Sequence, residues 1–430
     1  MLQVGFGSAD ITPDVGMDIP GGFSPNLSQG VLEKLLATAC VIHDGTTWLA
    51  LVGIDSIGIP KSIVADARDR IAKETKIPGA NVLVGANHSH TGGPSFANTY
   101  GEPDAKYVDL LAKGIASAVI EATRALHAAE VGVGTGHEES LAYNRRFLMR
   151  DGREITHPGK PGTEHHKDIV QPAGPIDPAV GVLAFRAAGG GPILGVVAHF
   201  GCHSTIVGGN KYHPDYAGPL RKHLKARYGE GAGAVFLLGP CGDITQVDNR
   251  VPGSEFGREY VEMFGEKLAM EAIRTVNKLE WKKEAKLAAT AEQVPLTVRA
   301  DPDVARETPP YGLGSAWHEQ YAKGRAVVAA IRAKTPTIPT EVQALRIGDL
   351  GIATNGAEFF CELGLRIKAA SPFTPTWVVE LANDLVFYIP TPQAMMAGGY
   401  ECRTNISSMY SIDAGQAIIE ASLRGLRKLS

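Results

Sequence analysis

The sequence contains a pair of histidines whose spacing suits a metal ion. His88 and His90 lie in the segment Asn87–Pro94, directly after the apolar run Asn81–Gly85. In an extended segment, side chains two residues apart point the same way, so both imidazoles can address one site. Neutral imidazole is a common zinc ligand, and a zinc site needs three or four ligands. Two hydrogen-bonded histidines at a strand end would show the same pattern, so a metal site requires partners from elsewhere.

A second histidine cluster follows another apolar run. His199 lies inside the predicted strand, and we interpret it as a buried core histidine. His203 lies in the following loop and is the better candidate ligand. Further on, Asp215 precedes a predicted helix, where it either caps the helix or accepts a hydrogen bond from a ligand histidine.

A carboxylate in an apolar setting offers a further ligand. Glu358 lies close in sequence to Ile352, Phe359 and Phe360. A buried carboxylate needs a partner, and a metal ion would serve. In contrast, Cys241 has no evident neighbouring base, so we do not expect it to be a nucleophile.

A basic pair could contact the substrate. Arg145 and Arg146 follow Asn144, a short distance after the predicted strand Val131–Thr135. A guanidinium in a pocket can hold an oxyanion or a carboxylate. The alternative is that both arginines are surface charges, and the sequence leaves this open.

The elements that would position these residues recur in the order β-hairpin, helix, single strand. Asp44-Gly45 in the first hairpin is a strong turn signal. The three units comprise hairpins at Ala39–His43 with Trp48–Ile54, Val180–Ala184 with Ile193–Ala198, and Val342–Ile347 with Gly351–Thr354, helices at Lys61–Lys76, Ala217–Tyr228 and Glu362–Ala370, and strands at Asn81–Gly85, Ala234–Gly239 and Trp377–Leu381.

Every strand exit in these units carries a group that can bind metal or move protons. These groups are Asp55, His199 with His203, and Glu358 after the hairpins, and His88 with His90, Asp243, and Tyr388 after the single strands. Ligands bind at strand ends in α/β sheets, where loops expose backbone groups. The pattern therefore predicts an α/β fold of mixed β-sheets flanked by helices, with three loosely repeated hairpin–helix–strand units around a central metal site.

The connecting segments complete the predicted organisation. Longer helices are predicted at Tyr107–Leu126, Gly257–Leu279 and Ser315–Lys334. The segment Met149–Pro175 has little periodicity, which predicts a long surface loop and a candidate lid. Because no linker stands out, residues 1–430 are interpreted as one catalytic domain.

Composition excludes several classes of protein. The 430 residues contain 42 Lys+Arg against 46 Asp+Glu, which excludes a basic nucleic-acid binder. No apolar run approaches the ~20 residues of a membrane helix, and no secretory signal is visible. The five cysteines form no CxxC pair, as is usual for reduced thiols. We therefore expect a cytoplasmic enzyme with a small-molecule substrate, no nucleic-acid partner and no stable membrane insertion, and with assembly into a homo-oligomer left open.

Eight short motifs, in order along nearly the whole chain, resemble the neutral/alkaline non-lysosomal ceramidase family, and most closely its shorter bacterial relatives. Asp10-Ile11-Thr12 resembles that family's DIT opening. The others, with the family pattern in parentheses, are Asn87–Pro94 (THTHSGP), Asn144-Arg145 (NRS), Cys202-His203-Ser204-Thr205 (CHPT), Asp215–Gly218 (DYPG), Gly242–Thr245 (GDxSP), Gly356-Ala357-Glu358 (PGE), and Leu381-Ala382-Asn383 with Tyr388 and Tyr400-Glu401 (LAN…Y…YEG).

The resemblance implies a hydrolase with one catalytic zinc ion (Zn²⁺) that cleaves an amide bond. By matching position, the implied zinc ligands are His88, His203, Glu358 and Tyr388, and the implied pocket residues are His90, Arg145 and Tyr400. The residue types alone had already indicated His88, His203 and Glu358, whereas Tyr388 and Tyr400 rest on the resemblance.

The sequence also departs from the family pattern. Gly92-Gly93 adds a glycine to the first motif, Ser204 replaces a proline, and Thr245 replaces a serine. The family's export signal and C-terminal β-sandwich are not visible. We therefore expect a small polar amide, ester or lactone as the substrate, rather than ceramide. The alternatives are a metal-dependent lyase or phosphoester hydrolase on the same scaffold, or a non-catalytic metal-binding relative. The roles of Asp55, Asp215, Asp243 and Thr245 remain open.

Overall fold

The structure of the protein is a computed structural model that describes residues 1–22, 24–97, 102–300 and 315–430. The strands are β1 (Gln3–Asp10), β2 (Gly30–Val31), β3 (Leu36–His43), β4 (Trp48–Ile54), β5 (Val82–Ala86), β6 (His127–His137), β7 (Tyr143–Asn144), β8 (Arg146–Met149), β9 (Glu154–Thr156), β10 (Ile169–Pro172), β11 (Ala179–Ala187), β12 (Ile193–Phe200), β13 (Lys211–Tyr212), β14 (Gly233–Leu238), β15 (Ile244–Thr245), β16 (Leu287–Thr297), β17 (Thr337–Ile347), β18 (Leu350–Thr354), β19 (Ala357–Phe359), β20 (Thr376–Val379) and β21 (Phe387–Ile389). The helices are α1 (Lys61–Glu74), α2 (Ala105–Arg124), α3 (Ala217–Tyr228), α4 (Arg258–Val276), α5 (Ser315–Lys334), α6 (Cys361–Ala370), α7 (Pro392–Ala397) and α8 (Ala414–Leu429).

Two mixed sheets form the frame of the molecule. The larger has eight strands in the order β14-β12-β11-β6-β1-β3-β4-β5, and the second has four in the order β16-β17-β18-β20. Alternate residues of β4 show how the layers form. Leu49 and Leu51 pack with Leu345 and Ile352 of the second sheet, whereas Ala50 lies in the cluster that includes helices α1–α4. The second sheet has α6 and α8 on its other face, giving a helix–sheet–sheet–helix arrangement. The predicted mixed α/β class is confirmed.

The three predicted repeats also occur, with element ends shifted by a few residues. In each unit the hairpin is antiparallel, and the single strand then pairs in parallel with the second hairpin strand: β3-β4 with β5, β11-β12 with β14, and β17-β18 with β20. A parallel pair needs a crossover connection, and α1, α3 and α6 provide it. The second hairpin strand and the single strand of each unit therefore end at the same edge of their sheet.

The predicted long loop at Met149–Pro175 is only partly a loop. It contains β9 and β10, which pair on either side of β8 in a three-stranded sheet. Phe147, Met149 and Ile155 form a small apolar cluster of their own. These strands were missed because they are only three or four residues long, too short for a pattern of alternation to emerge.

No helix within the described part of the chain is both long enough and apolar enough to cross a membrane.

Candidate metal centre

The backbone at the end of β5 turns sharply and places His88. His88 has a φ of 63°, in the left-handed region that residues other than glycine rarely adopt. The preceding Asn87 holds the turn, because its amide donates to Asp55 Oδ1 at 2.9 Å and to the carbonyl of Pro214 at 2.9 Å. Asp55 is itself paired with Arg221 through two hydrogen bonds of 2.8 and 2.6 Å. The role of Asp55 is therefore to anchor this turn.

Backbone carbonyls hold one ring nitrogen of each of three histidines. Nδ1 lies 2.7 Å from the Ile57 carbonyl in His88, 2.6 Å from the Gly21 carbonyl in His90, and 2.7 Å from the Cys241 carbonyl in His203. A carbonyl can only accept, so each Nδ1 carries the proton and donates. In this tautomer Nε2 faces the cluster and Nδ1 is held in place, which is how proteins orient histidines that bind metals.

These lone pairs converge. His88 Nε2 lies 3.3 Å from His90 Nε2 and 3.4 Å from Glu358 Oε2. His203 Nε2 lies 3.5 Å from the same Glu358 oxygen, and the ligand atoms of the three histidines are all within 4.8 Å of one another. His203 Nε2 and Glu358 Oε2 are buried without a hydrogen-bond partner among the described residues.

The electrostatics disfavour filling this cluster with protons. Burial, together with Arg145 and His88, lowers the pKa of His203 well below its usual value. Burial and His88 lower the pKa of His90 to about 3. Burial alone would raise the pKa of Glu358, but His88 and His203 reverse this and leave it well below its usual value. Imidazole nitrogens and a carboxylate gathered in a buried site are a donor set that fits a divalent cation.

Tyr388 and Arg145 border the cluster. Tyr388 is the cross-strand neighbour of Glu358 between β19 and β21, and its hydroxyl accepts a bond of 3.2 Å from Arg145 Nη2. Arg145 also donates to the Gly242 carbonyl at 2.6 Å, and its guanidinium lies 5.2 Å from the centre of the Tyr400 ring. The Tyr388 and Tyr400 rings are in edge contact, with their centres 5.9 Å apart. The structure thus brings all seven predicted site residues together.

Behind Arg145 lies a buried network of charges that the sequence did not reveal. Glu401 accepts from Arg145 Nε at 3.1 Å and from Arg146 Nη1 at 3.0 Å. Arg146 also donates to Glu154 at 2.8 Å, and Glu401 accepts from the Thr156 hydroxyl at 2.8 Å. The interpretation of the arginines as a surface pair is wrong, since both side chains are buried. We refer to Arg145, Arg146, Glu154, Thr156 and Glu401 as the arginine network.

Other candidate residues have structural roles. His199 is the predicted core histidine: its Nε2 donates to the Val378 carbonyl at 2.8 Å, and its ring stacks on Trp377. Neither interpretation of Asp215 is correct. Tyr216 is the N-cap residue of α3, and the Asp215 carboxylate accepts from the backbone of Val207 and Tyr216 rather than from a histidine.

The segment after β14 supports the site through its backbone and side chains. The Asp243 carboxylate accepts from Cys361 N at 2.8 Å and from the Asn144 side chain at 2.7 Å. The Thr245 hydroxyl donates to Gln246 at 3.2 Å. The Glu380 carboxylate lies 2.9 Å from the Cys241 thiol, a neighbour that the sequence did not reveal. Burial and this carboxylate raise the pKa of the thiol well above its usual value, which disfavours the thiolate.

The fold and the site together define a class: an α/β protein of two packed mixed sheets, with a buried group of imidazoles and a carboxylate at the strand ends that could hold a metal ion. The sequence matches no protein-family model and no curated protein. Solved structures, in contrast, agree with this description.

Two solved structures are similar to the whole chain. One is a ceramidase complexed with C2, and the other is the neutral ceramidase from Pseudomonas aeruginosa. Each superimposes with a TM-score of 0.76 at 19% sequence identity and covers 100% of this chain, with 75% and 74% of the respective ceramidase chains covered. The predicted resemblance to ceramidases is therefore confirmed at the level of the fold.

Proposed function

We propose that the protein is a zinc-dependent hydrolase that cleaves an amide bond, or a related ester or lactone bond, in a small polar molecule. The observation that carries the proposal is the convergence of three histidine Nε2 atoms on Glu358, with every Nδ1 held by a backbone carbonyl. Such an arrangement leaves acceptor lone pairs without protons, which a divalent metal would satisfy. The choice of an amide rests on the ceramidase fold, because ceramide is itself an amide.

We assign His88, His203, Glu358 and Tyr388 as the ligands, in line with the family resemblance. All four side chains are buried, whereas His90 is only half-buried. The rings of His88 and His203 are 4.5 Å apart, but those of His90 and His203 are 6.0 Å apart. A half-buried imidazole at the edge of the cluster can reach a substrate. In this proposal His90 is therefore the proton carrier. The alternative is that His90 binds the metal as a fifth ligand.

A bound divalent metal supplies a water molecule that is nucleophilic near neutral pH and polarises a carbonyl oxygen. His90 Nδ1 donates to the Gly21 carbonyl, so the Nε2 of the neutral ring has a free lone pair. In this proposal that lone pair takes a proton from the attacking water and delivers it to the leaving nitrogen. Burial raises the pKa of the Tyr400 hydroxyl, so it stays protonated and can donate to the developing oxyanion.

Arg145 contributes position and charge in this scheme. Its pairing with Glu401 fixes the guanidinium beneath the Tyr400 ring, and its bond to Tyr388 orients the phenol oxygen. A fixed positive charge here can also attract an anionic or polar part of the substrate. The ligands come from segments in both halves of the chain, and we propose that residues 1–430 act as one catalytic unit.

The test measures zinc content and hydrolysis in four proteins: wild type, H203A, H90A and Y400F. We expect about one zinc per chain in wild type, none in H203A, and full zinc content in H90A and Y400F. Amides, esters, lactones and phosphoesters should be screened against wild type. Loss of one oxyanion donor in Y400F should slow turnover by about 10²–10³-fold.

Each result bears on a different part of the proposal. Wild-type protein that takes up no zinc would contradict the metal mechanism. Loss of zinc in H90A would make His90 a ligand instead of a proton carrier. If wild type cleaves only phosphoesters, the protein is a phosphoester hydrolase and not an amide hydrolase. A Y400F enzyme with undiminished turnover would show that Tyr400 has no part in the reaction.

A further inference from the structure

The turn after β20, residues 380–383, joins the segments that carry the candidate ligands. The Leu381 carbonyl accepts from Ala86 N at 3.1 Å, just before the Asn87–His88 turn. Leu381 N donates to the Ala357 carbonyl at 3.1 Å, next to Glu358. Glu380 N donates to the Leu238 carbonyl at 3.1 Å, at the end of β14. One short turn thus contacts three strand ends that lead into the site.

The backbone of this turn is strained, which points to strong constraints around it. Leu381 has a φ of 47° and Asn383 a φ of 63°, both in the left-handed region. Such residues persist only where surrounding contacts hold them. Here the Asn383 side chain accepts from Val84 N at 2.9 Å and donates to Gln343 at 3.0 Å.

The Glu380 side chain connects two of the ligand-bearing segments directly. One carboxylate oxygen accepts from Phe359 N at 2.7 Å and from Cys241 N at 3.0 Å, and the other lies 2.9 Å from the Cys241 thiol. Cys241 is the residue whose carbonyl holds His203 Nδ1, and Phe359 follows Glu358 in the chain. Glu380 is fully buried.

The two segments that Glu380 joins also lie in direct contact. Gly242 N donates to the Phe359 carbonyl at 3.0 Å. A side chain at Gly242 would lie 2.4 Å from the Glu358 carbonyl oxygen, so only glycine permits this approach. The distance between His203 and Glu358 therefore depends on how closely the segments 241–242 and 358–359 are held together.

We propose that Glu380 is a positioning residue of the metal centre: by binding Cys241 and Phe359 with one carboxylate, it sets the separation of His203 Nε2 and Glu358 Oε2. This proposal rests on the metal centre of the proposed function but not on the reaction. In the described contacts the Glu380 side chain touches neither His203 nor Glu358. It acts through the backbone of Phe359, which follows Glu358, and of Cys241, whose carbonyl holds His203.

The experiment compares zinc affinity, by competition with a chromophoric chelator, in wild type, E380L and E380Q. Leucine removes both acceptors, whereas glutamine keeps one oxygen for the two backbone N–H groups. Loss of a residue that orients metal ligands typically weakens metal binding by about 10–100-fold, and we expect this for E380L. E380Q should bind zinc within a few-fold of wild type. The absorption spectrum of the Co²⁺-loaded proteins should change in E380L and stay the same in E380Q.

E130L is the matched control for the loss of a buried carboxylate. Glu130 accepts from Arg186 at 2.7 Å and from Gly189 N at 3.3 Å, at a distant part of the large sheet. We expect E130L to bind zinc as wild type does, even where it lowers the unfolding midpoint. Should E380L fail to fold, E380D replaces it, because the shorter acid cannot reach both segments and should weaken zinc binding.

The outcomes separate this proposal from the reaction. Folded E380L or E380D that binds zinc with wild-type affinity and spectrum would overturn the role of Glu380. Wild type that binds zinc tightly but cleaves none of the compounds would contradict the hydrolase and leave the Glu380 comparison intact. Wild type that binds no zinc would overturn both.

Discussion

Two buried polar regions lie side by side in this molecule, and they differ in how completely their atoms are paired. In the arginine network, Glu401 accepts from Arg145, Arg146 and Thr156, and Arg146 also reaches Glu154. In the histidine cluster, His203 Nε2 and Glu358 Oε2 have no hydrogen-bond partner within the described residues. Burial is similar in both regions, so the difference lies in the partners.

The contrast separates structural from ligand-binding chemistry. A buried charge that is paired with opposite charges needs no further partner, and its removal lowers the stability of the fold. Buried ligand atoms that face one another without a hydrogen-bond partner are completed when a cation binds between them. Residues of the first kind should therefore govern stability, and those of the second kind should govern metal affinity.

The largest expected effect comes from breaking the network. R146A leaves Glu401 and Glu154 short of a buried partner, which should lower the free energy of unfolding by about 3–5 kcal/mol. Denaturant titration with the metal-free protein measures this. R153A is the control, because Arg153 pairs with Asp151 at an exposed site, and its loss should cost less than about 1 kcal/mol. Equal stabilities of R146A and R153A would contradict the distinction drawn between the two regions.

Zinc should have the converse effect at the histidine cluster. At a free concentration about 1,000 times the dissociation constant, a ligand that binds only the folded state stabilises it by about 4 kcal/mol. We expect a shift of this size in wild type on thermal or denaturant unfolding, and a much smaller shift in E358Q at the same zinc concentration. A full zinc shift in E358Q would remove Glu358 from the ligand set.

The smallest effect is a pH dependence at the border of the two regions. Burial raises the pKa of Asp243 from 3.8 to about 6 in the folded protein, despite its bonds to Cys361 and Asn144. A raised carboxyl pKa means that the folded state holds the proton more tightly. Its stabilising contribution is complete below pH 3.8 and is lost as the pH rises through 6. Relative to D243N, wild type should lose about 1–3 kcal/mol between these limits, measured by unfolding at several pH values. Parallel stability curves for the two proteins would show that the Asp243 pKa is not raised.

Local patterns in the sequence predicted much of the fold. The three hairpin–helix–strand units were predictable because their strands are continuous apolar runs, and because turn signals such as Asp44-Gly45 separate the hairpin strands. The histidines and Glu358 were predictable because a metal-binding group at a strand exit stands out against an apolar run. Tyr388 and Tyr400 have no such local signal and came from the family resemblance alone.

The supporting residues were not predictable for a physical reason. Arg146, Glu154 and Glu401 each look like a surface charge, and the contacts that bury them join positions up to 255 apart in the chain. Glu380 directly follows strand β20, where a polar residue is common and attracts no notice. Only the folded structure shows that it binds Cys241 and Phe359. Hydrophobic periodicity indicates which face of a single helix or strand is buried. It does not indicate which residues of distant segments pair with one another.

The distribution of the candidate ligands along the chain has a consequence for when the site can form. His88 and Tyr388 are 300 positions apart, and His203 and Glu358 lie between them. Synthesis proceeds from the N-terminus, so most of the chain must leave the ribosome before the last ligand segment is available. A metal ion that used all four candidate ligands would therefore gain its full coordination only after nearly the whole chain has been synthesised. The order of synthesis would then have no part in selecting the metal, which would depend on the ions around the protein and on the rigidity of the finished site.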